Sequence, residues 1–287
     1  VNSHNSSTIL GQHKYLTNFV GFKQMQEQCE LFSQGTNGHA IVLLPGLCGS
    51  KLELGLIPNL LISEGYTVAI PSISGYSAHT GFSPFELWID SVHRFCSELR
   101  ETHQTLSIVG MSLGSTLALA TTSKYQDIDN LVCLSTTLQL DGWAIPWYDH
   151  LLKLAYQLGF RNWIYQEVEP YGVKDARLRG AIKRAVRMNH VSALGAAQLP
   201  ADHLYQCLKL MDWTKSHLTK VQCNLFLMHS TEDDTASLKN AQEVLSKVGS
   251  KIKRSSWVSN SYHMISVDYD KERVAKETSQ FLNEMLA

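Results

Sequence analysis

The sequence predicts an α/β fold, a doubly wound and mostly parallel sheet with helices on both faces and an inserted helical segment. Short apolar runs rich in β-branched residues alternate with longer helical patterns, and Gly, Pro, Ser or Asn bounds each run. Such runs are typical of parallel strands that are buried on both faces. The chain has 287 residues, of which 44% are hydrophobic and 18% charged, the balance of a large globular protein.

The alternation assigns each element in turn. It predicts strands at residues 40–44, 66–70, 106–109, 131–134, 225–228 and 256–258. It predicts helices at about 51–63, 84–101, 113–124, 237–248 and 270–286. The second helix has clear start signals, because Ser83 suits the N-cap position and Pro84 suits the first helical position.

One segment interrupts the alternation. Residues 139–220 show no convincing strand; they have a helical pattern and are rich in aromatic residues. Because about 80 residues is too long for a simple connection, we expect an inserted helical cap there, between core parts at 1–138 and 221–287. We refer to residues 139–220 as the cap segment. Its later part is basic, with Lys174, Arg177, Arg179, Lys183, Arg184 and Arg187.

The charge balance excludes several classes of protein. Lys and Arg number 25 and Asp and Glu number 26, a net charge of −1, whereas duplex-binding proteins normally carry a basic excess. No apolar run approaches the roughly 20 residues that span a bilayer. The sequence therefore predicts no nucleic-acid partner and no transmembrane segment.

The six cysteines are scattered and include no CxxC pair, so the sequence shows neither a zinc knuckle nor a disulfide framework. Free thiols in apolar surroundings suit a reducing compartment. The first residues also lack the basic and apolar regions of a signal peptide. We expect a cytoplasmic protein.

A GxSxG pattern, Gly-Met-Ser-Leu-Gly, occupies residues 110–114. The predicted strand at 106–109 precedes it, and small residues that open a helix follow it. A serine at the apex of a strand-to-helix turn is a nucleophile elbow, whose strained backbone exposes the hydroxyl. Ser112 is therefore the candidate nucleophile, and an ordinary glycine-rich turn is the alternative.

A histidine and an acidic residue are the candidate partners of Ser112. A general base is expected in the loop between the last strand and the last helix, and His263 occupies that loop. His229, at the end of the preceding strand, is the competing histidine. The acid is expected just after that same strand, where three acidic residues are adjacent. We prefer Asp233 and keep Asp234 as the alternative.

Two backbone amides are needed to hold the oxyanion of an acyl-transfer intermediate. Leu113, directly after the serine, offers one of them. The turn after the strand at 40–44 offers the other at Leu47. The neighbouring Cys48 is interpreted as a small apolar filler, with a reactive thiol as the alternative.

With these motifs the sequence resembles the α/β-hydrolase superfamily, in particular bacterial carboxylesterases and monoacylglycerol-lipase-like enzymes with a small cap. The resemblance covers residues 38–138 and 220–286. It is carried by the 110–114 motif, by the acidic loop, and by 261–263 followed by Asp268. It implies the α/β-hydrolase fold and no metal or organic cofactor.

The resemblance also assigns roles to residues. It implies a nucleophile, acid and base at Ser112, Asp233 and His263, and oxyanion donors at Leu47 and Leu113. Pro45 departs from the family, which usually has His at that position, and this predicts an altered loop geometry.

Candidate substrate-binding residues are Met111, Trp143 and Trp147, because an acyl pocket needs apolar walls around a few polar groups. The alternative is that the aromatic side chains pack the cap segment on the core. His79, in the loop after the second strand, is a candidate for the pocket mouth, with a structural role as the alternative.

The leading hypothesis is a serine esterase acting on a small acyl ester, of short to medium chain or monoacylglycerol-like, through an acyl-enzyme. A thioesterase for acyl-CoA or an acyl carrier is the second hypothesis. It is supported only by the basic run, which could also make transient contact with a membrane surface. A non-catalytic ligand-binding protein is the third, although it would require a lost triad member.

Overall fold

A computed structural model shows a central sheet between two layers of helices. It describes residues 25–77, 80–145, 151–166, 169–189, 191–192, 195–196 and 198–286. The strands are β1 Cys29–Ser33, β2 His39–Leu44, β3 Thr67–Pro71, β4 Thr105–Met111, β5 Asn130–Leu134, β6 Ile164–Gln166, β7 Val191–Ser192, β8 Gly195–Ala196, β9 Gln198–Pro200, β10 Asn224–Ser230 and β11 Lys253–Val258. The helices are α1 Ile57–Ser63, α2 Phe85–Arg100, α3 Leu113–Tyr125, α4 Leu152–Gln157, α5 Ala176–Asn189, α6 Ala201–His217, α7 Leu238–Lys247 and α8 Lys271–Leu286.

The central sheet has seven strands in the order β1-β3-β2-β4-β5-β10-β11. Neighbouring strands are parallel, except that β1 pairs antiparallel with β3 at one edge. This confirms the predicted doubly wound, mostly parallel sheet. Strand β1 was not predicted, because this partly exposed edge strand mixes polar and apolar residues and has no continuous apolar run.

Both faces of the sheet are covered. On β2, Ala40, Val42 and Leu44 pack in one apolar cluster with side chains of α2 and α3. Ile41 and Leu43, which alternate with them, pack in a second cluster with side chains of α1 and α8. Because successive side chains of a strand point to opposite faces, a strand covered on both sides must be apolar throughout, as β2 is.

Two predicted helix starts differ from the structure. The helix predicted at 51–63 is a 3₁₀ turn at Lys51–Leu54 followed by α1. The break comes at Gly55, whose φ is 56° and where a Cβ would lie 1.9 Å from the backbone oxygen of Ser266. Helix α2 begins at Phe85, and Ser83 does not cap it, because the Ser83 hydroxyl donates to a backbone oxygen and accepts from the Trp88 indole instead.

The cap segment contains strands that the sequence did not reveal. β6 pairs antiparallel with β9, and β7 with β8. Each has two or three residues, too few to show a periodic pattern. The last helix of the segment, α6, packs on the core, where Cys207, Leu210 and Met211 share an apolar cluster with Leu117 of α3. The division of the chain at 139–220 stays a prediction.

Among the described helices, none combines the length and the hydropathy that a bilayer crossing requires.

Candidate active site

Ser112 lies in the tight turn between β4 and α3. Its φ of 55° and ψ of −122° are disfavoured for a residue with a side chain, at a cost of about 1–3 kcal/mol. The two motif glycines make the turn possible: a Cβ on Gly110 would lie 2.4 Å from the Gly114 oxygen, and one on Gly114 would lie 2.1 Å from the Leu44 oxygen. The Ser112 amide donates to the Leu134 oxygen at 2.9 Å. The backbone therefore fixes the hydroxyl at the carboxyl edge of the sheet.

The imidazole of His263 joins the serine to a carboxylate. Its Nε2 lies 2.7 Å from the Ser112 Oγ, and its Nδ1 lies 2.9 Å and 3.0 Å from the two oxygens of Asp233. A carboxylate only accepts, so Nδ1 carries the proton and Nε2 presents its lone pair to the serine hydroxyl. The structure thus brings together Ser112, His263 and Asp233, which come from three separate loops.

Asp233 is held as an anion. One oxygen accepts the amides of Thr235 and Ala236 at 2.9 Å and 2.8 Å. The other lies 3.2 Å from Nε2 of His229, which also donates to the Ala236 oxygen at 2.8 Å. Burial alone would raise the pKa of Asp233, but His263 and His229 outweigh it and hold that pKa well below its usual range. His229, the competing histidine, therefore supports the carboxylate.

Asp234 makes different contacts from its neighbour. Its Oδ1 accepts the backbone amide of His263 at 3.2 Å, and its Oδ2 accepts the amide of Gly172 at 3.1 Å. Burial, helped by the charge of Asp233, raises the pKa of Asp234 above its ordinary value. The two candidate acids are thus separated by geometry, since one holds the imidazole ring and the other holds backbone.

The turn after β2 places a second amide near Ser112. Gly46 in this turn donates its amide to the buried carboxylate of Glu53 at 2.7 Å. The next amide, that of Leu47, and the amide of Leu113 have no acceptor among the described residues. Both leucines line the same cavity as Ser112. Glu53 carried no sequence signal, because it lies in a stretch predicted as ordinary helix.

The same turn shows how Pro45 is accommodated. The Tyr76 hydroxyl donates to the Pro45 oxygen at 2.7 Å, and the Cys48 amide donates to the Tyr76 oxygen at 2.9 Å. Tyr76 and Glu53 thus fix the loop from either side. Burial, with a smaller contribution from Glu53, raises the pKa of the Cys48 thiol to about 11, so this thiol is protonated at neutral pH and fits the filler interpretation.

A cavity of about 180 Å³ opens beside Ser112 and His263. Most of its lining is apolar: Leu47, Leu113, Leu140, Ala144, Ile145, Ile182, Leu199, Leu204, Met211 and Met264. Sequence reasoning missed most of these residues because they come from many separate segments, and no local pattern brings them together.

Two of the three predicted substrate-binding residues, Met111 and Trp143, lie away from this cavity. Met111 is fully buried in the sheet core, because it is the last residue of β4 and points into the second apolar cluster. Trp143 is 62% exposed; its indole donates to the Glu232 oxygen at 3.1 Å and its ring packs edge-on against Tyr262. Neither Met111 nor Trp143 belongs to the described residues that line the cavity. Trp147 and His79 lie outside the described residues.

The sheet order and the serine turn define an α/β-hydrolase fold, and solved structures agree. The monoacylglycerol lipase of Paleococcus ferrophilus superposes with a TM-score of 0.74 at 16% identity, covering 89% of this chain and 98% of that one. A soluble variant of monoglyceride lipase from Saccharomyces cerevisiae superposes with a TM-score of 0.71 at 15% identity, covering 88% and 89%.

Sequence comparison identifies the family. The family model Hydrolase_4, described as serine aminopeptidase, S33, matches residues 37–270, and the chain belongs to this family. A thermostable monoacylglycerol lipase from Bacillus sp. (strain H-257) is 24% identical over 244 residues, 84% of this chain and 89% of the relative. A carboxylesterase from Bacillus subtilis (strain 168) is 19% identical over 252 residues, 86% and 93% of the two chains.

Proposed function

We propose that this protein is a serine hydrolase that cleaves carboxylic esters through an acyl-enzyme on Ser112. The observation that carries the proposal is the continuous hydrogen-bond chain from Ser112 through His263 to Asp233, on a strained turn that faces an apolar cavity. The family match and the two Bacillus relatives, a lipase and an esterase by name, support the same chemistry.

The reaction follows from the positions of the protons. His263 Nε2 takes the Ser112 proton while Oγ forms a bond to the ester carbonyl carbon, and the resulting imidazolium is stabilised by ionised Asp233. The imidazolium then protonates the alcohol oxygen as the carbon–oxygen bond breaks, leaving the acyl-enzyme. Water, deprotonated by the same nitrogen, attacks the acyl carbon. The imidazolium then returns the proton to Ser112 Oγ as the bond between Oγ and the acyl carbon breaks, which releases the acid and restores the free serine.

The oxyanion of each tetrahedral intermediate is assigned to the Leu47 and Leu113 amides. Both leucines line the cavity beside Ser112, and their amides have no acceptor among the described residues. Donors that already point at the developing charge need no reorganisation in the transition state, which is why such pairs contribute strongly to the rate.

The substrate is assigned from the shape and polarity of the cavity. A volume of about 180 Å³ with mostly apolar walls suits an acyl group of short to medium length, with the ester carbonyl at Ser112. A monoacylglycerol-like ester fits this description, in agreement with the name of the Bacillus sp. relative.

The basic run gives little support to the thioesterase alternative. Lys174 pairs with Glu232 at 2.8 Å, while Lys183 and Arg179 both pair with Glu169, at 2.5 Å and 3.9 Å. The two carboxylates offset two of the six positive charges of the run, which lowers its attraction for an anionic carrier.

We also propose that the protein makes transient contact with lipid surfaces through the cap segment. The large apolar side chains of Leu151, Leu154, Leu158, Phe160 and Ile164 are between 52% and 69% exposed within this short stretch. Large apolar side chains exposed in this number suit contact with an apolar surface. Co-sedimentation with phosphatidylcholine vesicles should fall in Leu158→Ser/Phe160→Ser and stay unchanged in the control Leu286→Ser; equal binding by both variants would contradict this contact.

We propose a cytoplasmic location because the cysteines of the chain are free thiols. All six cysteines are free, as suits a reducing compartment. Alkylation of the denatured, unreduced protein purified from its native host should modify six thiols, and fewer would contradict the proposal.

The test of the function is turnover of p-nitrophenyl esters from acetate to palmitate by wild type and Ser112→Ala. We expect serine-dependent hydrolysis with an optimum at short or medium chains, and a loss of about 10⁴-fold or more in kcat in the variant. Acyl-CoA and an aminoacyl p-nitroanilide are the matched competitors. Preferred turnover of acyl-CoA, preferred cleavage of the anilide, or ester turnover that survives in folded Ser112→Ala would each overturn the proposal.

A further inference from the structure

A short part of the cap segment lies directly on the loop that carries His263. Gly172 has a φ of 70°, and a Cβ placed on it would lie 3.2 Å from the Cβ of His263 and 2.9 Å from the Met264 side chain. The Met264 amide also donates to the Gly172 oxygen at 2.8 Å. The backbone at residue 172 therefore packs against the candidate base without any intervening side chain.

Two buried carboxylates hold these segments together. Asp234, as described above, accepts the Gly172 amide with one oxygen and the His263 amide with the other. It therefore bridges the cap segment and the histidine through a single side chain. Because a carboxylate offers rigid acceptor positions for two donors at once, the distance between the two amides is fixed.

Asp268 repeats the arrangement on the next residues. It accepts the amides of Lys174 and Asp175 at 2.6 Å and 2.9 Å from the cap side. It accepts the amides of Tyr262 and Tyr269 from the His263 loop, both at 3.0 Å. Six backbone donors thus converge on two buried side chains, and removal of either side chain would leave several of these amides without an acceptor.

The surface offers a weaker connection between the same two regions. Lys174 forms an ion pair with Glu232, but the Glu232 side chain is 42% exposed. Exposed ion pairs contribute little, and salt screens them. Besides the backbone bond from Met264 to Gly172, the main side-chain connection between the cap segment and the His263 loop is therefore the pair of carboxylates, which we name the acid clamp (Asp234 and Asp268).

We propose that Asp234 and Asp268 are positioning residues that hold residues 172–175 of the cap segment in register with the His263 loop, so that His263 Nε2 reaches Ser112 only while the cap segment is seated. The proposal rests on the proposed function, since it concerns the same base and nucleophile. It also gives the cap segment a catalytic consequence, because Tyr171 and Gly172 line the cavity that receives the acyl group. A substrate seated against them contacts the segment that positions the base.

The test compares Asp234→Asn with its neighbour Glu232→Gln, which removes the same type of charge and breaks the surface ion pair. An amide at 234 keeps one acceptor and places an NH₂ donor against a backbone amide. We expect kcat on the best p-nitrophenyl ester to fall roughly 10- to 100-fold in Asp234→Asn with KM changed less than threefold, because small misplacements of catalytic groups have effects of this size. Labelling of Ser112 by a fluorophosphonate should slow in parallel, while Glu232→Gln stays within twofold of wild type.

A folded Asp234→Asn protein with wild-type kcat and labelling rate would overturn the clamp, as would equal losses in both variants. If Asp234→Asn does not fold, the Gly172→Ala variant tests the same contact by a change in the cap segment. Its new methyl group presses on His263 and Met264, so kcat should fall at least about tenfold, and unchanged kcat would refute the proposal. The Ser112→Ala variant distinguishes a failure of the clamp proposal from a failure of the proposed function. If Ser112→Ala is inactive while the clamp variants turn over normally, the clamp proposal fails and the esterase assignment stands.

Discussion

Two serines, one within strand β4 and one directly after it, each hydrogen-bond to a histidine, and they lie at opposite ends of the sheet. Near the amino end, Ser107 Oγ lies 2.8 Å from His39 Nε2. Just past the carboxyl end, Ser112 Oγ lies 2.7 Å from His263 Nε2. The two serine–histidine distances differ by little, so the pairs must be distinguished by their surroundings.

The surroundings of the two serine–histidine pairs differ in three respects. Ser107 lies in regular strand and is fully buried, whereas Ser112 has a positive φ and borders a cavity. The other ring nitrogen of His39 contacts the Thr105 hydroxyl, whereas that of His263 contacts ionised Asp233. Burial lowers the pKa of His39 to about 4, so its ring stays neutral where a base would take up a proton. A serine–histidine hydrogen bond acquires catalytic meaning only with backbone exposure, a carboxylate and space for substrate.

The largest expected effect separates the two histidines. His263→Ala should lower kcat for p-nitrophenyl butyrate by about 10⁴-fold or more, because it removes the base that lies 2.7 Å from the Ser112 Oγ. The Thr137 hydroxyl, 3.4 Å from the same Oγ, is not a base that can replace it. His39→Leu should leave kcat within twofold and lower the free energy of unfolding by about 1–3 kcal/mol, since it leaves hydroxyl partners unpaired in the core. Comparable kcat losses in the two variants would contradict the claim that only His263 acts as the base.

The carboxylate gives the next effect. Asp233→Asn should lower kcat by up to about 10⁴-fold, because an amide favours the wrong imidazole tautomer and cannot stabilise the imidazolium. Circular dichroism serves as the control for folding. A loss in Asp234→Asn larger than that in Asp233→Asn would move the acid to the neighbouring residue.

The contrast between the two histidines can also be tested at His39, through the pH dependence of the free energy of unfolding. The pKa of His39 is about 4 when folded and 6.5 ordinarily, so between these values the unfolded chain binds a proton that the folded one does not. The free energy of unfolding is therefore highest, with respect to His39, above pH 6.5. It falls by about 3 kcal/mol as the pH is lowered towards 4. Urea unfolding at pH 7 and 4.5 should show a smaller pH difference in His39→Leu than in wild type. Equal differences would show that His39 titrates normally in the fold.

The smallest effect concerns Ser107. Ser107→Ala removes the partner of His39 and of the Asn130 amide, which donates to Ser107 at 3.0 Å. We expect a loss of about 1–2 kcal/mol in the free energy of unfolding and unchanged kcat. A tenfold fall in kcat at intact stability would show that the two ends of β4 are coupled, contrary to this account.

The extent to which the sequence predicts the molecule follows from the same contrast. The alternation of apolar runs predicts the parallel sheet, because β2 and its neighbours are buried on both faces. Edge strand β1, which pairs on one side, and the two- and three-residue strands of the cap segment leave no such pattern. Position in the fold points to Ser112, His263 and the acidic loop.

What the sequence could not predict depends on three-dimensional contacts. The different contacts of Asp233 and Asp234 follow from backbone direction in one turn, which adjacent identical residues do not reveal. Glu53 and Tyr76 fix the turn at Pro45 from distant positions. Met111 and Trp143 are predicted to line the pocket because it needs apolar walls, but strand alternation turns the first into the core and the second lies at the surface.

The most direct measurement is peptide mapping after reaction with a fluorophosphonate, on wild type, Ser112→Ala and Ser107→Ala at equal concentration. The account predicts one stoichiometric adduct on Ser112 in wild type and in Ser107→Ala, and no adduct in Ser112→Ala. An adduct that persists in folded Ser112→Ala, or that forms on Ser107 in wild type, would contradict the claim that the strained turn, the carboxylate and the cavity select the reactive serine.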